Sequence, residues 1–507
     1  MHSKIKNRWV LRYVGTQKMI NMKKNSLFAL IMCAALLTAC KKFDDFQTDP
    51  NRTTQSTPDL LLSTIEQQAL NNISTGVGLA SRQLVNVEGV ANEQYYNWLR
   101  ADFGRYNYLR QVYKMEQEAE RTGKTNYQPL ALFFKAWNLY ELTMTFGDIP
   151  YSEAIRGDGD IFQPKYDTQE QVFLQLLEDL ERANSLLSAD VESVAGDLLY
   201  GGDMLKWKKA VNVFMLKILI SLSRKESHAV LRVRERFAAI VADPQNHPIF
   251  ANNGDHLALP YYDVAQNRYP YFNNNGIQTA IYMEKTFVDL LKETRDPRLF
   301  RFAAPARSLV NQYGENDIRS YNGVLGSAPN NDNAAQVVTG RISNINRRYY
   351  ADAVNEPALG LGYAEQQFIL AEGVIRGWIG GDALAYYRSG VEASMLFTNV
   401  PEEAIDTYLA TGPMQSLPAG EEIKAIITQK YIASFMLPGW HSFYEQRRTG
   451  FPTFDVSGGA VLNGGRIPKR WMYPEEELRL NATNVEEAIT RQYPNGDNIN
   501  GEMWLIK

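Results

Sequence analysis

The stretch AEQQFILAEGVIRGWIGGDALAYYRSGVEAS, residues 364–394, decides the fold. Ala364, Phe368, Ala371, Ile375 and Trp378 recur at intervals of three and four, which places them on one face of a helix. Gly380-Gly381 breaks the pattern, and Leu384, Tyr387, Val391 and Ser394 resume it on a second helix. Two helices joined by a tight glycine turn form an antiparallel hairpin, the unit of tetratricopeptide-like solenoids. The chain carries no strict repeat of about 34 residues, so the expected architecture is an all-α array of degenerate hairpins.

The same spacing recurs on both sides. Leu61, Leu62, Ile65, Ala69 and Leu70 predict a first helix beginning near Asp59, and a second helical stretch is expected from Ala80 into Trp98, interrupted at Gly89. Pro129 opens a strong helix, a position where the missing amide costs nothing. Its stripe is Leu130, Phe133, Phe134, Trp137, Tyr140 and Met144, and Gly147-Asp148-Ile149-Pro150 stops it. Thr168 and Gln171 have capping-box spacing ahead of Val172, Phe173, Leu176, Leu177, Leu180, Ala183 and Leu187. Trp207, Ala210, Val211, Phe214 and Ile218 mark another helix, as do Ile423, Ile426, Ile427, Tyr431 and Phe435. These aromatics are expected in the core. Short helices are expected near Glu475–Leu480 and Val485–Arg491.

Two segments lack helical periodicity. Between Asn246 and Gln278, Tyr261, Tyr262, Tyr269, Tyr271 and Phe272 alternate with Asn, Gly and Pro. Between Ala303 and Asn355, Tyr313, Tyr321, Tyr349 and Tyr350 do the same. Irregular stretches this long inside a compact protein usually carry function. A loop-rich face for a ligand is therefore expected on the helical body.

The N-terminus has a different grammar. Lys23-Lys24, an apolar run from Leu27 to Leu37, and Leu37-Thr38-Ala39-Cys40 lay out a secretory signal peptide. The run is too short to span a bilayer, which takes about 20 residues. We expect residues 1–39 to be the signal, with the true start at Met22 or Met19, residues 40–58 to be a tether, and 59–507 to be a single α-helical domain. Acidic residues follow in Lys41-Lys42-Phe43-Asp44-Asp45-Phe46; they fit either a solvated leader or a surface-export signal.

Composition and motifs exclude most chemistry. Residues 1–39 hold seven Lys and Arg and no acid, so removing them leaves 46 bases against 57 acids, a net charge of −11. Nucleic-acid binding needs a basic footprint, which this body lacks. Both cysteines, Cys33 and Cys40, fall at the leader, so the domain has no thiol for a disulfide, metal or nucleophile. Gly123-Lys124-Thr125 resembles the tail of a P-loop, but Glu118 stands where the motif needs glycine. His228, His247, His256 and His441 never fall at metal-ligand spacing. Asp158 and Asp160 begin like a calcium loop, and Phe162 ends the likeness. No Gly-x-Ser-x-Gly elbow occurs. A carboxylate pair for glycoside cleavage is not visible in sequence, since its members need not be neighbours. No cofactor is expected.

Several segments in fixed order resemble one family, the SusD/RagB-type nutrient-binding outer-membrane lipoproteins, in their SusD-like branch. They are Tyr140-Glu141-Leu142, Phe146-Gly147-Asp148-Ile149-Pro150-Tyr151, Asp203-Met204-Leu205-Lys206-Trp207, Asp296-Pro297-Arg298-Leu299, Tyr363-Ala364-Glu365 through Ala371-Glu372, Gln429-Lys430-Tyr431, Arg447-Arg448-Thr449-Gly450-Phe451-Pro452, and Ile467-Pro468 with Arg470 and Tyr473-Pro474. Gly373 departs from the alanine often found there, which touches packing only. Leu-Thr-Ala-Cys resembles a lipobox, which implies lipidation of Cys40. The resemblance implies an outer-membrane, cell-surface location and a SusC-type TonB-dependent transporter as partner. It also implies capture of an oligosaccharide, or in some branches a peptide oligomer, without cleavage. A lipid-anchored hydrolase and a helical-repeat scaffold for envelope assembly are the other readings. Sugars offer apolar faces and a rim of hydroxyls, which aromatic faces beside amides suit. Tyr95, Tyr96 and Trp98 form one expected platform; Tyr269 and Tyr271 with Asn267, Asn273 and Asn274 form another. Arg447 and Arg448 are expected to form structural ion pairs at a helix end.

Cells fed radiolabelled fatty acid should label the wild-type protein, and Cys40→Ala should abolish the label. A labelled Cys40→Ala protein, or an unlabelled wild type, would remove the anchor.

Overall fold

The computed structural model describes residues 56–507, of which Thr57–Lys507 form one compact unit. The expected signal, Cys40 and the tether as far as residue 55 lie outside the described residues.

The fold is all-α. Helices that frame the core and the site are α1 (Pro58–Leu70), α2 (Gly104–Thr122), α3 (Gln128–Phe146), α4 (Gln169–Leu186), α5 (Met204–Ser221), α6 (Val233–Ala242), α7 (Lys285–Glu293), α8 (Tyr363–Ile375), α9 (Ala383–Phe397), α10 (Glu422–Ala433), α11 (His441–Thr449), α12 (Glu475–Leu480) and α13 (Ala482–Gln492). Two short antiparallel ribbons accompany them: β1 (Leu84–Asn86) with β3 (Ile281–Met283), and β2 (Leu257–Leu259) with β4 (Ala358–Leu361).

From α1 to α5 each helix packs on the next, and α8 packs on α9 across the glycine turn. The predicted stripes are the buried ones. Leu61, Leu62, Ile65, Ala69 and Leu70 face inward from α1. α3 is buried nearly all round, with Trp207 of α5 edge-on to Phe133 and Phe134 at 5.3 and 5.6 Å. The capping box at Thr168 and Gln171 forms with both of its bonds.

Two expectations need correction. Ala80–Trp98 is not helical. Arg82 and Tyr96 adopt left-handed conformations, with φ of 56° and 54°, and β1 lies between them. A left-handed residue cannot continue a right-handed helix. Conversely, α2 lies outside every helix expected from the sequence, although Leu109, Val112, Met115 and Ala119 form its buried stripe.

The short motifs act as fasteners. Gly147, at φ 94°, ends α3 so closely against α13 that a Cβ there would lie 2.1 Å from the Gln492 side chain. Asp148 then accepts from Gln169 at the start of α4 (2.8 Å) and from both Arg491 nitrogens on α13 (2.8 and 2.6 Å). Arg298 is fully buried; it pairs with Asp296 at 2.6 Å, donates to Ser394 of α9 at 3.0 Å and also to Gln429 of α10. Gly373 lies where a Cβ would sit 2.7 Å from the Phe237 ring of α6, so this chain's departure to glycine matches its own neighbour.

The two arginines of α11 differ. Arg448 pairs with Glu372 and Glu445, each at 2.6 Å, as expected. Arg447 forms no ion pair among the described residues; it donates to the Met144 and Lys469 carbonyls at 2.8 and 3.0 Å. Arg448 belongs to a buried chain of alternating charge. Glu372 also binds Arg376 (2.8 Å), while Glu445 meets Lys430 (3.4 Å), Lys430 meets Glu365 (3.6 Å) and Glu365 meets Lys217 (3.1 Å). Burial opposes charge on Glu445, but Arg448 and Lys430 outweigh it and hold the carboxyl down at about 2.

Glu66 of α1 behaves in the opposite way. It is buried beside the Asp197 carboxylate and accepts only from the Leu198 amide at 2.7 Å, so burial and then Asp197 push its carboxyl up to about 10.

Arg298→Ala is expected to cost about 3–5 kcal/mol in denaturant unfolding, because it strands Asp296 in the core. A loss below about 1 kcal/mol would show that the pair fastens nothing. The folded state keeps Glu66 protonated, while the unfolded carboxyl ionises above 4.5, so the wild type loses stability as pH rises from 4.5 toward about 10. Glu66→Gln should therefore match the wild-type melting temperature at acid pH and exceed it by a growing margin toward pH 9. Parallel melting curves would contradict this.

Candidate functional site

A polar groove lies between the end of α1 and the start of α2. Gln67, Gln68, Asn71 and Asn72 form one wall; Asp102, Gly104, Arg105 and Tyr108 form the other, around about 440 Å³. The wall on α1 follows from helix geometry. With Leu61, Leu62, Ile65, Ala69 and Leu70 turned inward, Gln67 and Gln68 project from the other side, and Asn71 and Asn72 follow just past the helix end. On the opposite wall, Asp102 accepts from the Gly104 amide at 2.7 Å in a turn just ahead of α2. Arg105, in the first turn, reaches down to the buried Glu141 of α3 at 3.6 Å.

A second hollow adjoins it at Asp102. It measures about 530 Å³ and is lined by Arg100, Ala101, Asp102, Phe103, Pro474 and Glu475–Glu477. Arg100 binds Asp497 at 2.7 Å, Glu475 at 3.1 Å and the Tyr473 carbonyl at 2.6 Å, and Glu477 accepts from the Tyr166 hydroxyl at 2.6 Å.

Gln68 Oε1, Asn72 Oδ1 and Arg105 Nη1 are shielded from solvent and make no hydrogen bond among the described residues. Among the described residues, no group of three His, Cys, Asp or Glu is placed to hold a metal ion.

The expected aromatic platforms are placed differently. Tyr96 and Trp98 are core residues. The Trp98 ring stacks on Trp471 at 4.9 Å, meets Phe443 and Trp440 edge-on, and donates to the Arg470 carbonyl at 3.1 Å. Arg82 covers Tyr96 at 4.4 Å, and the Tyr96 hydroxyl donates to Ala80 at 2.9 Å. Tyr95 is buried with its hydroxyl on the Ala328 carbonyl at 3.1 Å. None of these rings presents a face to a sugar, which corrects that expectation. They instead anchor the segment that carries Arg100–Phe103 into the groove wall. Leu99 accepts from the Met472 amide and Ala101 donates back to Met472.

The second set splits. Tyr269 is buried among Tyr261, Tyr349 and Tyr271, and its amide bonds to Ala353, which joins the two irregular segments. That burial rules it out as an open platform. Tyr271 is half-buried and its hydroxyl accepts from Thr75 at 2.8 Å, three residues beyond Asn72. Asn267, Asn273 and Asn274 are exposed. Asn267 closes a tight loop by accepting from the Tyr262 amide at 2.8 Å, and Tyr262 itself is 56% exposed.

A cavity beneath Glu365, Lys430, His441 and Glu445 offers only about 60 Å³, room for a few waters and no more. Burial, then Lys217, holds His441 down at about 4, so this lining histidine is neutral at pH 7.

The SusD-like_2 family, described as starch-binding and associating with outer membrane, matches residues 50–474. Among solved structures, a SusD homologue from Bacteroides fragilis is 39% identical over 89% of this chain and 100% of its own, with a TM-score of 0.82. An outer-membrane protein of Bacteroides vulgatus, whose inferred role is nutrient binding, is 37% identical over 89% and 100%, with a TM-score of 0.84. A chitin-binding SusD homologue from Flavobacterium johnsoniae, 20% identical over 89% and 98% with a TM-score of 0.71, shares the fold. No curated protein sequence matches. With the family matched over most of its length and its fold shared by SusD homologues, the chain belongs to the SusD-like family of starch-binding proteins associated with the outer membrane.

Proposed function

We propose that this protein is a lipid-anchored receptor at the cell surface that captures oligosaccharides, or other oligomeric nutrients, in the groove between α1 and α2. It then delivers them intact to a SusC-type TonB-dependent transporter. The observation that carries this reading is one open groove lined by four carboxamides, Asp102, Arg105 and Tyr108. A carboxamide both donates and accepts, as a sugar hydroxyl does. The family's starch-binding description agrees with that chemistry.

Binding here needs no covalent step. The four carboxamides and Tyr108 hold successive hydroxyls, Asp102 lines both hollows, and release reverses the same contacts. The loop around Tyr262 and Asn267 extends the face beyond Tyr271 for a longer oligomer. Cys40, through its lipid, keeps the domain at the outer membrane, where a β-barrel transporter receives the cargo.

Mature protein titrated with an oligosaccharide panel in a calorimeter should bind at least one member, and chromatography should recover that member unchanged. Shortened products would move the case to a hydrolase. Gln68→Ala and Asn72→Ala should each weaken binding about tenfold, worth ~1.4 kcal/mol, while the melting temperature stays within about 2 °C of wild type. Unchanged affinity in both variants would place the site elsewhere. Solubilised from its membrane, the protein should co-purify with a large β-barrel; soluble envelope proteins alone would favour a scaffold.

A further inference from the structure

We infer that the groove selects oligosaccharides without anionic groups and turns away those bearing carboxylates or sulfates. The inference rests on the groove being the capture site.

Two cations line it, and both are committed. Arg105 lies 3.6 Å from Glu141, and Arg100 lies 2.7 Å from Asp497 and 3.1 Å from Glu475. Glu141 and Asp497 sit beneath the surface, with side chains only 5% and 9% exposed, so a ligand cannot displace them. The lining carboxylates are Asp102, Glu475, Glu476 and Glu477. Of these, only Glu475 has a cation within 4.0 Å among the described residues. With Arg470, the second cation on Asp497, the lining groups and their buried partners count three positive against six negative side chains, a net of −3.

Asp102 lines both hollows, so an oligomer that enters either one passes beside its charge. Like charges set side by side are a strong filter.

The test uses the mature protein and matched probes: hexamers of α-1,4-glucose, β-1,4-glucose, β-1,4-mannose and β-1,4-N-acetylglucosamine, each with its 6-carboxylate counterpart. Whichever neutral hexamer binds should do so at least about tenfold more tightly than its carboxylated form at low salt. The ratio should shrink as salt is added, because the repelling groups are exposed and screened. Asp102→Asn and Glu476→Gln should each narrow it, and Glu476 is exposed enough that its substitution leaves folding intact. A carboxylated hexamer binding within about twofold of its neutral partner would overturn the inference and leave the capture reading standing. So would a ratio indifferent to salt and to both substitutions. A panel with no binder would remove the capture reading as well.

Discussion

Alternating charge inside the helical body is the constraint on which the rest of the molecule depends. Lys217 of α5, Glu365 and Glu372 of α8, Lys430 of α10, and Glu445 and Arg448 of α11 form one buried sequence of partners. Removing any member leaves its neighbours one partner short in a medium that solvates ions poorly. Apolar packing among these helices tolerates sliding and repacking; a chain of ion pairs does not. It fixes the register of α8 against α5, α10 and α11. Arg298 adds a second fixed point through Asp296, Ser394 and Gln429.

That frame lets long irregular segments exist without being loose. The residues around Tyr269 are stitched to Ala353 and Tyr350 by backbone bonds, and Tyr271 ties them to Thr75. The Arg100–Phe103 segment is tied to Met472 and backed by the ring cluster of Trp98, Trp440, Phe443 and Trp471. Most aromatic residues in the loops thus hold the loops down, and the groove proposed for capture is lined mainly by amides, carboxylates and guanidinium groups. The division of labour is physical. A large ring buries the most surface for the fewest rotatable bonds, and a carboxamide offers both donors and acceptors at the surface.

The hairpin at 364–394 is legible from residue order alone, because an apolar stripe spaced by three and four lines up on one side only when the backbone is helical. The same reasoning fails between Ala80 and Trp98, where two left-handed residues decide the path, Arg82 and Tyr96, neither of which is glycine. Apolar spacing carries no information on the sign of φ. α2 could have been read from Leu109, Val112, Met115 and Ala119. The burial of Trp98 could not, since its partners come from the far end of the chain and nothing local announces them. The groove left a fainter trace. Gln67 and Gln68 stand on the polar side of a helix whose other side is plainly apolar, and Asn71 and Asn72 follow directly after its last residue. Reading α1 for its inward side alone passes over them. The groove's opposite wall adds Asp102 and Arg105 from a helix start that periodicity did not locate.

The ring cluster behind Arg100–Phe103 has a thermodynamic consequence. A wall already frozen by interlocked indoles has little conformational entropy left to surrender when cargo arrives. Association then depends on the few contacts made at the rim, and nothing must unfold to let go. For the capture role proposed above, a wall ordered in advance leaves more of each rim contact available as affinity.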